Sequence, residues 1–291
     1  MRQISIELTE YCNFQCMHCY LKMRKEECRR MSFSYFCYLL RWAKENNVLF
    51  LSLTGGEVFL CSEFCKFYEE AVKEGFVVSV LTNGSLLNEG ILKSFCRYSP
   101  QVVEVSLYGM TDATYQKMTG RKEICKKVLL NIQHLHACGI PVVAKYVTTS
   151  INYEELDEFD KWTNQYSIPN IITIANLPLR ENKQFLLIDH SFRISHKQLS
   201  EMVRKYPEKI SVLRKDLHTT CDLGEYLHFS SSGLIYGCPA LFLRPQQLTN
   251  NSSWEDIVAN YLELKKEYRF CPAWEQIESS DEIAKFLYGA I

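Results

Sequence analysis

The sequence lacks several features that would each indicate a particular class of protein. Charge of one sign is not in excess, since 33 lysine and arginine residues face 34 aspartate and glutamate residues, for a formal net charge of −1. This balance provides no electrostatic reason to expect nucleic acid or an anionic membrane as partner. Internal repeats and low-complexity segments are also missing.

Long hydrophobic runs are missing as well. The longest apolar stretches, at 48–53 and 76–81, have the length of a strand and not of a membrane-spanning helix. The N-terminal segment is too short and too polar for the apolar core of a signal peptide. We therefore expect a soluble cytoplasmic protein, and 291 residues, 47% of them hydrophobic, are enough for a sizeable core.

Cysteine, by contrast, is abundant, with 13 residues. An odd number spread over an unexported chain does not suit a disulfide framework. We expect a subset to bind a metal or cluster and most others to pack as small buried hydrophobes. The cysteines that we expect only to pack are Cys28, Cys37, Cys61, Cys65, Cys96, Cys125 and Cys138.

Up to about residue 175, short β-branched runs alternate with amphipathic segments. The runs predict strands at 3–8, 48–53, 77–82, 102–106, 142–147 and 171–174. The segments between them predict helices at 34–46, 63–74, 88–96, 122–137 and 154–166. Parallel strands need crossover helices, so this alternation predicts a parallel sheet. Six βα units are too few for a closed eight-unit barrel, and we predict an α/β fold with a partial (βα)6 TIM-type barrel.

After residue 175 the pattern becomes irregular. It predicts a helix at 195–206, a β-hairpin at 226–236 around Ser-Ser-Gly, and helices at 254–268 and 280–287. We therefore divide the chain into a barrel at 1–180 and a small α+β extension at 181–291.

Three cysteines directly after the first predicted strand form a C-x3-C-x2-C motif, Cys12, Cys16 and Cys19. Three thiolates on one loop suit the faces of a cubane iron–sulfur cluster, and they leave one iron open for chemistry. A tetrahedral zinc site with the adjacent His18 as fourth ligand is the alternative.

The second predicted strand ends in Gly55-Gly56-Glu57. Two glycines let a backbone approach a ligand closely, and the carboxylate can accept hydrogen bonds from an ammonium group. The alternative is a tight turn with an acidic residue at a helix N-terminus.

In this order, the two motifs resemble the radical S-adenosylmethionine (SAM) superfamily. Thr82-Asn83-Gly84 after the third strand is similar to the TNG turn of that family, and Ser106-Leu107-Tyr108-Gly109 after the fourth is similar to its S-L-[DY]-G segment. Lys145 in the fifth strand occupies the place of a basic residue that meets the SAM carboxylate. The resemblance covers about residues 1–175.

The resemblance implies cofactors and an activity. Cys12, Cys16 and Cys19 would hold a [4Fe–4S] cluster whose fourth iron is chelated by SAM. Gly55, Gly56 and Glu57 would bind the SAM amino group, and Thr82, Asn83, Ser106 and Lys145 would complete the SAM site. One electron, from a reductant such as flavodoxin or ferredoxin, would then cleave SAM to a 5′-deoxyadenosyl radical that abstracts hydrogen from the substrate.

The C-terminal cysteines resemble the SPASM and twitch extensions of the same superfamily, which hold auxiliary clusters. Cys221 and Cys238 form C-x11-G-x4-C, and Cys271 follows. The resemblance implies one twitch-like auxiliary [4Fe–4S] cluster with an unidentified fourth ligand. The later cysteine block of a full SPASM domain is missing. Ordinary buried thiols are the alternative.

Enzymes with such an extension frequently modify peptides, so our first hypothesis is radical modification of a ribosomally made peptide by crosslinking, epimerisation or oxidation. The chain begins at the first barrel strand, which predicts a separate peptide-recognition protein or docking on a sheet edge. The second hypothesis is conversion of a small molecule, such as a sugar, amino acid or tetrapyrrole. The third is a zinc- or cluster-binding scaffold without turnover.

Overall fold

The computed structural model describes residues 2–19, 29–174, 192, 194–210, 224, 226–238 and 244–266. The strands there are β1 Arg2–Glu7, β2 Val48–Thr54, β3 Val77–Thr82, β4 Val102–Leu107, β5 Val142–Thr148, β6 Asn170–Ile174, β7 Leu227–Phe229, β8 Leu234–Tyr236 and β9 Gln246–Gln247. The α-helices there are α1 Phe33–Glu45, α2 Phe64–Lys73, α3 Glu89–Arg97, α4 Asp112–Thr119, α5 Cys125–Ala137, α6 Leu156–Gln165, α7 His196–Lys205 and α8 Trp254–Lys266.

The described strands form one sheet in the order β6-β5-β4-β3-β2-β1-β7-β8-β9. Strands β1 to β6 pair in parallel with their neighbours in sequence, and helices connect them. This confirms the predicted α/β fold with a parallel sheet. The carboxyl ends of these strands share one edge, where the loops after β1, β2, β3 and β4 lie close together.

The two faces of the sheet differ in polarity. Ile6, Leu53 and Val105 belong to a buried hydrophobic core that also contains apolar side chains of the helices. Ser5 and Ser52, whose side chains alternate with these, are register partners on the opposite face and are partly exposed. The face away from the helices, which we call the inner face, is therefore partly polar.

Helix α4 was not predicted from the sequence. Its short segment contains two threonines, whose β-branched side chains weaken helix propensity. The capping residues are nevertheless favourable: Thr111 accepts a hydrogen bond from the Thr114 N–H, and Gly120 ends the helix with φ of 70°.

The predicted hairpin joins the barrel sheet directly. Strand β7 pairs in parallel with β1, so that Ser5 lies opposite His228, and the antiparallel β8 and β9 continue the sheet outward. The strand that leads into the cysteine motif is therefore flanked on both sides. The helix predicted at 280–287 lies outside the described residues. None of the helices within the described ranges has the length and apolar composition needed to cross a membrane.

Candidate active site

The cysteine loop after β1 is held by helix α4. The backbone N–H of Gln15 donates to the carbonyl of Thr119 at 2.8 Å, and that of Met17 donates to the carbonyl of Met118 at 3.1 Å. Phe14 is buried in the core between the first two cysteines. This fixes the path of the loop that carries Cys12, Cys16 and Cys19, whose side chains are all half-buried.

The two glycines after β2 allow the cysteine loop to pack closely against that strand. The N–H of Gly56 donates to the Thr9 carbonyl, and the N–H of Glu57 donates to the Tyr11 carbonyl, both at 2.7 Å. A Cβ on Gly55 would lie 2.3 Å from the Thr9 oxygen, and a Cβ on Gly56 would lie 2.4 Å from the Tyr11 oxygen. Gly55 and Gly56 therefore pack directly against the backbone that leads into the cysteine loop.

The Glu57 side chain joins the turn after β2 to the turn after β3. Its carboxylate accepts hydrogen bonds from Thr82 Oγ1 at 2.6 Å, from the Asn83 N–H at 2.7 Å and from the Phe59 N–H at 3.1 Å. The carboxylate is fully buried, and burial raises its pKa above the ordinary value. Glu57 therefore holds the Thr82-Asn83 turn in place.

Asn83 links this turn to the cysteine loop. Its Nδ2 donates to Asn13 Oδ1 at 2.9 Å and lies 4.0 Å from Cys12 Sγ, while its Oδ1 accepts hydrogen bonds from the N–H and the hydroxyl of Ser85. Asn13 Nδ2 donates to Ser85 Oγ at 2.8 Å. Sequence reasoning did not single out Asn13 or Ser85, although the first lies inside the cysteine motif.

Tyr108, in the segment after β4, packs against the cysteine loop. Its ring centroid lies 5.2 Å from that of His18 and 6.2 Å from that of Phe14. Its hydroxyl interacts with the Cys16 thiol, and burial raises the pKa of both groups well above their ordinary values. The loops after β1 and β4 are thereby joined.

Ser106 and Lys145 are register partners on β4 and β5. The Lys145 ammonium lies 3.0 Å from a carboxylate oxygen of Glu104, and both side chains are about one-third exposed. Lys145 thus has a counter-ion that the sequence did not predict. The pair lies on the inner face, because the alternating residues Val105 and Tyr146 are buried in the core.

The chemistry of the cysteine loop fits an iron–sulfur cluster. Burial, with the nearby Glu57 and Cys19 adding to it, raises the pKa of Cys12 to about 12, and burial raises the pKa of Cys16 well above its ordinary value. Bare thiolates are disfavoured here, whereas thiolates bound to iron are neutralised by its charge. Within the described residues, no group of three His, Cys, Asp or Glu side chains is arranged to hold a single metal ion.

The adjacent His18 was the fourth ligand in the zinc alternative. Burial lowers its pKa to about 4, and its buried Nδ1 has no hydrogen-bond partner among the residues described. Its ring packs against Tyr108.

Of the predicted auxiliary ligands, the structure describes Cys238, which follows β8 and is half-buried. Cys221 and Cys271 lie outside the described residues. Among the cysteines expected only to pack, Cys61 and Cys125 are buried and Cys37 and Cys65 are half-buried, while Cys28 lies outside the described residues. Cys96 and Cys138 are exposed, contrary to expectation, because they lie on the outward side or at the end of helices α3 and α5.

Comparisons with known proteins identify the same superfamily that the sequence motifs resemble. Residues 6–163 match the model of the Radical SAM superfamily. The chain is 30% identical to the antilisterial bacteriocin subtilosin biosynthesis protein AlbA of Bacillus subtilis (strain 168), over 45% of this chain and 30% of AlbA. It is 26% identical to the sporulation killing factor maturation protein SkfB of the same strain, over 95% of this chain and 70% of SkfB.

A third relative is the probable GTP 3′,8-cyclase of Saccharolobus islandicus (strain L.S.2.15 / Lassen #1), which is 26% identical over 74% of this chain and 67% of that protein. The chain therefore spans from about one-third to about two-thirds of the length of these relatives.

Two solved structures share the fold. Streptococcus suis SuiB bound to S-adenosylmethionine is 17% identical with a TM-score of 0.67, over 95% of this chain and 67% of SuiB. AnSMEcpe with bound AdoMet is 15% identical with a TM-score of 0.72, over 91% of this chain and 84% of that chain. These likenesses confirm the partial TIM-type barrel. With its family model matched over more than half of its length, the chain belongs to the radical SAM superfamily and is a radical SAM enzyme, a family that implies a [4Fe–4S] cluster and SAM as cofactors.

Proposed function

We propose that this enzyme carries out radical modification of a ribosomally made peptide, by crosslinking, epimerisation or oxidation. The observation that carries the proposal is the match to SkfB, which is named for maturation of a sporulation killing factor and aligns with 95% of this chain. AlbA, named for biosynthesis of a bacteriocin, supports the same class of substrate. SuiB has been solved bound to its precursor peptide SuiA, so a protein that shares this fold can bind a peptide.

The residues of this chain would act mainly by holding and orienting. Cys12, Cys16 and Cys19 would bind the cluster through their thiolates. When bound, the reduced cluster supplies the electron that cleaves SAM to the 5′-deoxyadenosyl radical. The turns that contain Gly55-Gly56-Glu57 and Thr82-Asn83 are tied to the cysteine loop by hydrogen bonds, so they would hold SAM at a fixed position relative to the cluster.

On the inner face, Ser106 and Lys145 would orient the methionine end of SAM in this proposal, where the carboxylate and the amino group share one carbon. Glu104, 3.0 Å from the Lys145 ammonium, would hold that ammonium in place until a carboxylate of SAM shares it. Neither role needs a proton transfer from these residues.

We further propose that residues 181–291 form an extension to a barrel at 1–180 and carry one auxiliary [4Fe–4S] cluster. Cys221, Cys238 and Cys271 would be its ligands. Support comes from the C-x11-G-x4-C spacing and from the position of Cys238 directly after β8, at the end of a hairpin that pairs with β1. An external reductant such as flavodoxin or ferredoxin would supply electrons, and a separate recognition protein would present the peptide.

The second candidate function is conversion of a small molecule. The match to a probable GTP 3′,8-cyclase, over 74% of this chain, favours it.

The test is anaerobic turnover of the reconstituted, reduced enzyme with SAM and synthetic peptides encoded by open reading frames beside its gene. Mass spectrometry would follow the peptides, and chromatography would follow 5′-deoxyadenosine. A mass change in one peptide that requires SAM supports the proposal. SAM cleavage without any peptide change, but with a changed nucleotide or sugar in a metabolite mixture, favours the second candidate. No SAM cleavage by a fully loaded enzyme would contradict both candidate functions.

A further inference from the structure

A chain of hydrogen bonds links the C-terminal hairpin to the first barrel strand. His228 Nε2 on β7 lies 2.8 Å from Glu7 Oε1 on β1, and His228 Nδ1 lies 2.7 Å from Ser5 Oγ. The side chains of His228 and Glu7 are fully buried, whereas Ser5 is partly exposed. Of these three residues, Ser5 is therefore the one that a ligand can reach.

The alternation of side chains along the strands places the hydrogen-bonded side chains of Ser5, His228 and Glu7 on the inner face. Ile4 on β1 is buried in the core, and Phe229 on β7 packs against Trp42 of helix α1 with ring centroids 5.5 Å apart. Ser5 and His228, which alternate with them and are register partners, face the other way. That is the side on which Lys145 and Glu104 lie.

The depth of Ser5 separates it from the cofactor site. Strand β1 runs toward the cysteine loop, and Ser5 precedes Glu7 by two residues, which places it about 7 Å further from the carboxyl edge of the sheet. SAM bound at the cysteine loop would occupy that edge. A substrate that enters the barrel from the side opposite to SAM would pass the level of Ser5.

The hydrogen bonds among Glu7, His228 and Ser5 define the chemical group that Ser5 would bind. In the tautomer of His228 whose Nε2 donates to Glu7, Nδ1 accepts a hydrogen bond from the Ser5 hydroxyl. The Ser5 oxygen then presents its lone pairs to the barrel interior. Because Glu7 orients the imidazole and the imidazole orients the hydroxyl, this acceptor is fixed before a ligand arrives.

We propose that Ser5, oriented by His228 and Glu7, binds a backbone N–H of the peptide substrate. This inference rests on the proposed function for the identity of the substrate. It makes Ser5 a substrate-positioning residue and makes strand β7 of the C-terminal extension part of the substrate site. If the peptide were misplaced, the 5′-deoxyadenosyl radical would still form, but it would abstract hydrogen from the peptide less often.

The experiment compares Ser5→Ala and His228→Gln with wild-type holoenzyme, using a neighbouring peptide that the wild type modifies. Ser79→Ala is the matched control, since it removes a hydroxyl from the same face that is bonded to Gln101 instead. For Ser5→Ala we expect KM for the peptide, and the ratio of 5′-deoxyadenosine to modified peptide, to rise about fivefold through loss of one hydrogen bond. SAM cleavage without peptide stays within about twofold of wild type, and Ser79→Ala behaves as wild type.

The ratio distinguishes positioning from stability, because misfolded molecules yield neither product. A Ser5→Ala ratio and KM equal to those of Ser79→Ala would overturn the inference. If His228→Gln binds less cluster but keeps the wild-type ratio of 5′-deoxyadenosine to modified peptide, the histidine stabilises the fold and does not position the substrate. That result would overturn the role proposed for His228. Failure of the wild type to modify any peptide would overturn the proposed function and the assignment to a peptide N–H together, and it would be seen before any variant is made.

Discussion

At the scale of single residues, the site is organised by side chains whose hydrogen bonds connect neighbouring loops. Glu57, Asn83 and Tyr108 each reach from one strand end to another. The motifs that contain them could be predicted from the sequence, because glycines and cysteines at fixed spacing are visible in it. The partners of Asn83 and Lys145 could not be predicted, since Asn13, Ser85 and Glu104 are ordinary polar residues until folding brings them close.

The three cysteines of the loop provide the first prediction. Cys12→Ala, Cys16→Ala and Cys19→Ala should each abolish SAM cleavage, because each removes a thiolate ligand of the cluster. Formation of 5′-deoxyadenosine after anaerobic reconstitution measures this. Cys138→Ala, which removes an exposed thiol, is the control and should cleave SAM at the wild-type rate.

Cys221→Ala should leave SAM cleavage intact and reduce product formation, since it would affect the auxiliary cluster alone. If Cys221→Ala matches wild type in both measurements, the proposed auxiliary ligand set is wrong.

Glu57 provides a prediction about stability. Glu57→Gln turns a carboxylate that accepts three hydrogen bonds into an amide with only one acceptor oxygen, so buried donors lose their partner. We expect the free energy of unfolding to fall by roughly 1–3 kcal/mol, measured by denaturant titration. Glu63→Gln, at an exposed ion pair with Lys66, should change it by less than about 0.5 kcal/mol.

At the scale of elements, the cysteine loop depends on two neighbours, the turn after β2 and helix α4. Strand and helix positions in the barrel half followed from periodicity, with ends that differ by at most three residues. Helix α4 could not be predicted in this way, because a helix of eight residues provides little periodicity. The pairing of β7 with β1 could not be predicted either, because it joins residues more than 220 positions apart and no local pattern encodes it.

The close approach of the β2 turn to the cysteine loop leads to a further prediction. Gly56→Ala would place a Cβ 2.4 Å from the Tyr11 oxygen and push the two loops apart. We expect iron bound per chain after reconstitution to fall below about half of wild type, since an overpacked contact costs roughly 1–3 kcal/mol. The control is Gly139→Ala, which strains a left-handed residue with φ of 72° after helix α5 but places its Cβ within 4 Å of no atom; equal iron in the two variants would contradict the prediction.

At the scale of the whole molecule, iron content distinguishes one cluster from two. We expect about eight irons per chain in the reconstituted wild type and about four in the variant with Cys12, Cys16 and Cys19 all changed to Ala, because each [4Fe–4S] cluster holds four. Iron and sulfide assays with EPR measure this. A fall from about four irons to none would remove the auxiliary cluster and favour the small-molecule function.

The pairing of β7 with β1 also has a consequence for the order of events during synthesis. Strand β1 is synthesised more than 200 residues before its second neighbour, β7. At typical rates of 5–20 residues per second, the edge of β1 stays uncovered for about 10 seconds or longer. Strand β1, which leads into the cysteine loop, therefore gains its second neighbour only after the hairpin has emerged, and we expect cluster insertion to follow synthesis of the hairpin.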